Sequence, residues 1–243
     1  MAAAIAICVI SVAGFVQGLT GFGFGLVSVA LLPLVLPFKE ALFLLAILNL
    51  PVCALTLYAT RHHFTWRRGL TLTLGATVGV PIGFYALVHF DSGLLLRLLG
   101  TVLCLFALHE LFLSRRVRLR FPSWAGFPIG IVSGALGGSL NAGGPPVIAY
   151  VYSQDWAKEE IVAVLQLVFG VSALIRVALI GQSGLLHAEL GRLSLLALVP
   201  LIGGITLGNR LLRRVQLPAL KTGVFSFLLL MGAKYLLTTN PIH

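Results

Sequence analysis

Three polar side chains lie inside apolar segments of about twenty residues each: Asn49, Gln166 and Arg176. An amide or a guanidinium group in hydrocarbon is costly unless it pairs inside the protein. Asn49 and Gln166 lie near the middle of their segments and are predicted to face inward, where they either bind a ligand or join helices by hydrogen bonds. Arg176 lies nearer the end of its segment, so it either snorkels to the interface or supplies a fixed charge for an anion.

Two glycine-rich clusters inside apolar sequence supply the other candidate residues. Residues 14–25 read GFVQGLTGFGFG and residues 130–146 read GIVSGALGGSLNAGGPP. Glycine in a helix costs about 1 kcal/mol relative to alanine, so each cluster predicts a broken helix. A half-helix that starts at such a break points backbone N–H groups and its positive dipole end at an oxyanion. The candidate binding residues here are Gln17, Thr20, Gly21, Gly23, Gly138, Ser139, Asn141, Gly143 and Gly144.

The clusters have a simpler alternative role, since glycines also permit tight packing of a helical hairpin. The two clusters superpose with a shift of 116 residues (130 − 14), which places Gly14 on Gly130 and Gly18 on Gly134. Each cluster is therefore predicted to begin a repeat.

Composition identifies the class of protein without any motif. Of the 243 residues, 58% are hydrophobic and 10% are charged, whereas a soluble domain carries roughly 25% charged residues. The chain is therefore predicted to be an integral membrane protein. Its formal net charge of +10 resides in short loops, which favours a role in orientation over nucleic-acid binding.

Enzymatic chemistry is not indicated. The three cysteines all lie in apolar segments without a C-x-x-C pair, so they predict neither a metal site nor a disulfide. No P-loop, G-x-S-x-G or H-E-x-x-H motif occurs, and the sequence predicts neither catalytic residues nor a cofactor. The expected partners are a small anion and the lipid bilayer, and the sequence is also compatible with a homo-oligomer.

The apolar segments predict an all-α polytopic membrane protein built from two repeats, each a broken re-entrant hairpin followed by three transmembrane helices. The first repeat is 1–113, with a hairpin at 2–36 and spans at 41–60, 70–88 and 94–113. The second repeat is 124–243, with a hairpin at 124–152 and spans at 161–180, 193–212 and 217–237. Residues 114–123 form a basic loop between them.

Loop charge predicts the orientation of these segments. Arginines cluster around Arg61, Arg115 and Arg210, and the three loops that contain them are expected to be cytoplasmic. They share one side only if 124–152 is a hairpin that enters from the cytoplasm, and by symmetry 2–36 is a hairpin from the outer face. The two repeats would then have inverted topology, as many transporters do. Eight full crossings remain the alternative.

The chain resembles a known family of small membrane permeases. Its duplicated glycine clusters are each followed by an entry such as Phe38-Lys39-Glu40 or Ala157-Lys158-Glu159 and by three apolar spans, an arrangement similar to that of the TauE/SafE sulfite-exporter family. The resemblance covers nearly the whole chain and implies transport of a sulfur oxyanion or organosulfonate, such as sulfite or sulfoacetate, across the bacterial cytoplasmic (inner) membrane, usually outward. Phe22 and Phe24 interrupt what is commonly a denser glycine run, so the first cluster matches less completely.

We therefore expect a secondary carrier that holds a small anion between the two helix breaks. Backbone N–H groups and the side chains of Asn49, Gln166, Ser139 and Asn141 would bind it. An anion channel and a non-transporting membrane scaffold or assembly factor remain alternatives. A carrier shows solute counterflow and an open pore does not, whereas a scaffold shows no anion flux.

Overall fold

The computed structural model describes residues 2–63, 65–113, 120–185, 187–211 and 217–237. The helices in these ranges are α1 (Ala2–Thr20), α2 (Phe24–Leu31), α3 (Phe38–Thr60), α4 (Trp66–His89), α5 (Ser92–Leu108), α6 (Gly126–Leu140), α7 (Gly144–Tyr152), α8 (Lys158–Gln182), α9 (Ala188–Leu211) and α10 (Leu217–Leu237). Short helical turns occur at Leu32–Leu34, Arg61–His63, His109–Leu113 and Ser123–Ala125. The all-α prediction is confirmed. Arg115 lies outside the described residues, as does the part of the basic loop at 114–119.

Seven of the described helices are long and apolar enough to cross a membrane, which confirms a polytopic membrane protein. They are α1, α3, α4, α8, α9, most of α10, and α5 with the turn that follows it. At 15 and 9 residues, α6 and α7 are too short for this set. The helix breaks lie at 21–23 and 141–143, inside the two glycine clusters that predict them.

The chain folds into two compact units, and each draws on both halves of the sequence. Unit 1 contains Met1–Leu44, Phe90–Arg118 and Glu189–His243, and so holds α1, α2, α5, α9 and α10. Unit 2 contains Leu45–His89 and Leu119–Ala188, and so holds α4, α6, α7, α8 and most of α3.

In unit 1, α1 and α9 approach closely through glycines. A Cβ on Gly14 would lie 2.9 Å from the backbone oxygen of Leu201, and one on Gly18 would lie 3.0 Å from the Cα of Gly208. A Cβ on Gly204 would meet the backbone of Ser11. Only glycine permits this backbone-to-backbone distance, which is the usual reason for Gly-x-x-x-Gly in membrane helices.

Other contacts complete unit 1. The Tyr235 hydroxyl on α10 donates to the Ala30 oxygen on α2 at 2.8 Å. Gly232 on α10 packs against Gly100 and Cys104 on α5. Asp91 directly precedes α5, and its carboxylate accepts from the Gly93 and Leu94 N–H groups and so caps the helix.

In unit 2, α6 packs on α4 in the same manner. A Cβ on Gly134 would lie 2.5 Å from the Ala76 oxygen, and one on Gly138 would lie 3.1 Å from the Cα of Gly83. Gly79 in turn faces the backbone of Ile131. These positions run in the same direction along both helices, so α4 and α6 are parallel.

The two glycine interfaces match residue by residue, but not with the shift of 116 that the sequence suggests. Gly14 and Gly18 make the contacts that Gly134 and Gly138 make, a shift of 120 (134 − 14 and 138 − 18). Their partners on α9 and α4 differ by 125, as Leu201 and Ala76 do. The sequence superposition is thus wrong by one helical turn. Glycines recur every four residues in both clusters, so either shift places glycine on glycine.

In unit 2 the broken segment doubles back on itself. Gly143 lies against Ser133 and Gly137 on α6, and the end of α7 returns to the start of α6. There Gln154 Nε2 donates to the Phe121 oxygen at 3.0 Å, and the Tyr150 hydroxyl donates to the Ser123 oxygen at 3.4 Å. Helices α6 and α7 therefore form a hairpin.

The open end of this hairpin is the base of unit 2, where α4 and α8 also begin. Arg68 on α4 forms an ion pair with Glu160 on α8, and its guanidinium lies 5.6 Å from the ring centre of Trp156. The turn Arg61–His63 also packs on α8. Unit 2 thus has Arg61, Arg68 and the hairpin entrance at one end. The membrane side of that end stays a prediction, and so does the inverted relation of the repeats.

Candidate functional site

The second helix break centres on Asn141. This residue ends α6 in the left-handed conformation, with φ 54° and ψ 23°. Its backbone N–H still donates to the Gly137 oxygen at 3.1 Å. Asparagine adopts this conformation at moderate cost and glycine at none, so the backbone alone gives no reason for an amide side chain here.

The Asn141 side chain brings three helices of unit 2 together. Its Oδ1 accepts from Asn49 Nδ2 on α3 at 3.2 Å and from Arg176 Nη1 on α8 at 2.5 Å. Its Nδ2 is buried and has no hydrogen-bond partner within the described part of the chain. The cluster therefore contains a fixed positive charge and an amide donor available to a further acceptor.

Burial decides between the two roles considered for Arg176. Its side chain is 2% exposed, although it lies near the end of a span, so it does not snorkel to the interface. Arginine keeps its charge in proteins and presents five donors in a rigid fork. Arg176 thus supplies a desolvated cation at the hairpin tip.

The start of α7 offers fewer backbone donors than a usual helix N-terminus. Gly144 is its first residue, and the next two, Pro145 and Pro146, have no N–H. The dipole of α7 remains, but Gly144 is the only residue among the first three that can donate. All three are partly accessible, unlike the buried Asn141 and Gly143.

The first helix break, at 21–23, uses its polar side chains differently. Gln17 Nε2 donates to the Gly21 oxygen at 3.2 Å, and Gln17 Oε1 accepts from the Phe24 N–H at 3.1 Å. The Phe24 N–H is the first of α2, so the glutamine occupies the position that an anion would take there. Gly21 and Gly23 have φ of 78° and 134°, which explains the need for glycine at both.

Thr20 also acts within this break. Its hydroxyl interacts with the Val16 oxygen at 2.8 Å and with the Phe22 oxygen. A small pocket beside the break is lined mostly by apolar side chains such as Leu26 and Phe225, with an exposed Lys221 among its lining residues. The first break is thus stabilised by its own side chains.

Three further predicted residues have identifiable environments. Gly138 contacts the backbone of α4, and the Ser139 hydroxyl donates to the Ala135 oxygen at 2.7 Å within its own helix. Gln166 is 1% exposed in α8, ten residues before Arg176. Among the residues predicted from the sequence, Asn49 and Arg176 both donate a hydrogen bond to Asn141.

Sequence reasoning missed Ser133. Its hydroxyl donates to the Gly143 oxygen at 2.6 Å and fixes the returning chain against α6. The position of Ser133 inside a glycine cluster is a signal in the sequence. Its acceptor, however, is brought close only when α7 folds back against α6, which is a tertiary feature. In the described ranges, no group of three or more histidine, cysteine or acidic side chains is placed to hold a metal ion.

The chain is similar to known membrane transport proteins. The family model described as Sulfite exporter TauE/SafE matches residues 6–235. A curated relative, the probable inner membrane transporter protein TsaS of Comamonas testosteroni, is 26% identical over 190 residues, which cover 78% of this chain and 80% of the relative. No solved structure matches.

A match of this extent, together with seven apolar helices, identifies a multi-pass transporter of the bacterial inner membrane rather than an enzyme. The chain belongs to the TauE/SafE sulfite exporter family.

Proposed function

We propose that this protein is a secondary carrier that exports a small sulfur oxyanion or organosulfonate, and that unit 2 binds the anion at Asn49, Asn141, Gly144 and Arg176. The observation that carries the proposal is the buried guanidinium of Arg176 beside an amide whose nitrogen is available as a donor. Hydrogen bonds to a charged ligand contribute about 1.5–3 kcal/mol each. Family membership supports the transport of such anions, and the relative TsaS, described as a probable inner membrane transporter, supports a transport role.

Burial of the site favours a carrier over an open pore. Asn141 Nδ2 is enclosed, so an anion reaches it only after the hairpin or α8 shifts. A protein that opens its site to one side at a time has this property, whereas a continuous channel does not.

The membrane potential is sufficient to drive export. Moving one negative charge out of an inside-negative cell is favoured by about 2.3 kcal/mol per 100 mV, so neither ATP nor a coupling carboxylate is required. With the base of unit 2 in the cytoplasm, Arg176 at the second hairpin tip would lie about 24 Å along α8 from Glu160, toward the outer end of the span.

That orientation has a direct test in unit 2. Ser123 lies at the base and Ser183 follows the end of α8, and both are exposed. Cysteines at these two positions should be labelled by an impermeant maleimide from opposite sides of sealed cells, Ser183→Cys from outside. Labelling of both from the same side would contradict the proposed topology.

The anion site is tested best by Asn141→Asp. The new carboxylate has the shape of the amide and would pair with Arg176, so the protein should fold and the guanidinium should no longer attract an anion. We expect loss of sulfite-induced thermal stabilisation and of sulfite counterflow in proteoliposomes. Asn141→Gly keeps the left-handed backbone without strain and should weaken binding as well.

Ser172→Ala is the matched control on α8. The Ser172 hydroxyl donates to the Val168 oxygen in its own helix, one turn before Arg176, so binding and flux should be unchanged. Retained counterflow in Asn141→Asp would show that the anion binds elsewhere. If the native protein shows no anion flux in proteoliposomes, a scaffold is favoured. If it shows flux without counterflow, a channel is favoured.

A further inference from the structure

The charge of the candidate site is set by one residue. Nine polar or charged side chains are buried among the described residues, and Arg176 is the one that carries a formal charge. The sequences of α6 and α7 contain no ionisable acid or base other than Tyr150 and Tyr152. On α8 the nearest carboxylate is Glu160, 16 residues away or about 24 Å along the helix. Near the hairpin tip, α6, α7 and α8 therefore contribute one formal charge, the positive charge of Arg176.

Neutral hydrogen-bond donors add little to the negative charge that the site can compensate. Asn141 Nδ2 has no partner among the described residues and Gly144 can donate its N–H, but Pro145 and Pro146 remove the two donors that would follow in an ordinary first turn. Helix N-termini that bind divalent anions use several successive N–H groups. Among the first three residues of α7, Gly144 alone can donate a backbone N–H beside the Arg176 cation.

We propose that the site selects by charge: it accepts an oxyanion head group with one negative charge, such as a sulfonate or hydrogen sulfite, and rejects divalent sulfate. This inference rests on the proposed function. A monovalent head group is neutralised by Arg176, whereas the second charge of sulfate would be buried without compensation, which is strongly unfavourable. An organosulfonate with a second charged group must hold that group outside the site.

Methanesulfonate and sulfate provide a matched pair of ligands, since they differ by a methyl group in place of one oxygen. Binding of each to the purified native protein is measured by calorimetry at constant ionic strength. We expect methanesulfonate to bind roughly a hundredfold more tightly than sulfate. Equal affinities, or tighter binding of sulfate, would overturn charge selection while leaving an anion site in place. If sulfite and methanesulfonate both fail to bind, the proposed function itself is wrong.

A charge change at Asn49 tests the cause of the selectivity. Asn49 is half-buried and contacts Asn141, so Asn49→Lys adds a second cation beside the site. The ratio of sulfate to methanesulfonate affinity should rise about tenfold relative to Asn49→Met, which has a similar length and no charge. An unchanged ratio in two folded variants would show that shape rather than charge excludes sulfate.

Discussion

The break after α1 and the break after α6 begin from the same backbone geometry and differ in their side chains. Gly21 and Asn141 occupy equivalent positions under the shift of 120 (141 − 21), and both have left-handed φ angles. The N–H of each donates to the oxygen four residues earlier. At the first break Gln17 then bonds the backbone at both ends of its amide, whereas at the second Asn141 bonds Asn49 and Arg176.

The difference between the two breaks distinguishes residues that the fold requires from residues that a ligand would require. Glycine contacts that recur in both units fix the position of each broken helix, so they are required by the fold whether or not a ligand binds. Neither of the two glycine interfaces, α1 with α9 and α4 with α6, requires a buried arginine. It is costly to place in a membrane, and among the residues that the structure describes it occurs at one break only. This difference is why we propose anion binding at the second break and a structural role for the first.

Removal of the charge at the second break should have the largest effect. Arg176→Met keeps the length and apolar volume of the side chain but removes the cation, so sulfite or methanesulfonate affinity should fall by roughly a hundredfold or more. Isothermal titration of the detergent-purified variant measures this, with its helix content checked by circular dichroism. Affinity within about threefold of the native value would contradict anion binding by Arg176 at the second break.

At the first break, Gln17→Leu should affect stability instead of binding. It leaves the Gly21 oxygen and the Phe24 N–H without their side-chain partner, at about 1–3 kcal/mol for each. The free energy of unfolding should fall by about 2–4 kcal/mol, measured by thermal or denaturant unfolding, while the gain on adding the anion is kept. A stable Gln17→Leu that no longer binds the anion would place a site at the first break.

The sequence predicts the positions of the breaks and of the polar residues better than it predicts their partners. Glycine clusters locate both breaks because the helix propensity of glycine is a local property. Asn49, Asn141 and Arg176 are evident as polar residues in apolar sequence. Their meeting at one amide depends on the packing of α3, α6 and α8, and no local pattern encodes it.

The same limit explains the error in the repeat alignment. A four-residue glycine period is the requirement for one helix to pack on another, and it makes neighbouring registers equivalent in the sequence. The choice between shifts of 116 and 120 depends on which carbonyl faces each glycine, as with Gly18 and Gly138. Ser133 was missed for a related reason, since its acceptor lies ten residues away across the turn.

Adjacent glycines in α6 provide a test of the shared scaffold. A Cβ on Gly138 would meet backbone atoms of Val80, Phe84 and Gly83, which cannot move cheaply, so Gly138→Ala should destabilise the protein by about 1–3 kcal/mol. A Cβ on Gly137 would lie 3.7 Å from the nearest atom, and Gly137→Ala should be neutral or stabilising by up to about 1 kcal/mol. Thermal unfolding of both distinguishes them, and equal melting temperatures would contradict the α4–α6 interface.

The smallest expected effect is at Gly144, where packing and ligand binding predict opposite results. Gly144 is the first residue of α7 and has no positive φ, so its backbone conformation is open to alanine, and Gly144→Ala should leave the melting temperature of the free protein unchanged or slightly raised. The same methyl group would hinder an anion that approaches the N–H, and the loss of one hydrogen bond to a charged ligand corresponds to about a tenfold weaker Kd. Because the ligand-induced gain in stability is RT ln(1 + [L]/Kd), titrating sulfite in a thermal-shift assay separates the two effects, with Gly137→Ala as the control. A lower melting temperature with an unchanged sulfite response would mean that Gly144 serves the hairpin turn alone, and anion recognition would then rest on Asn141 and Arg176.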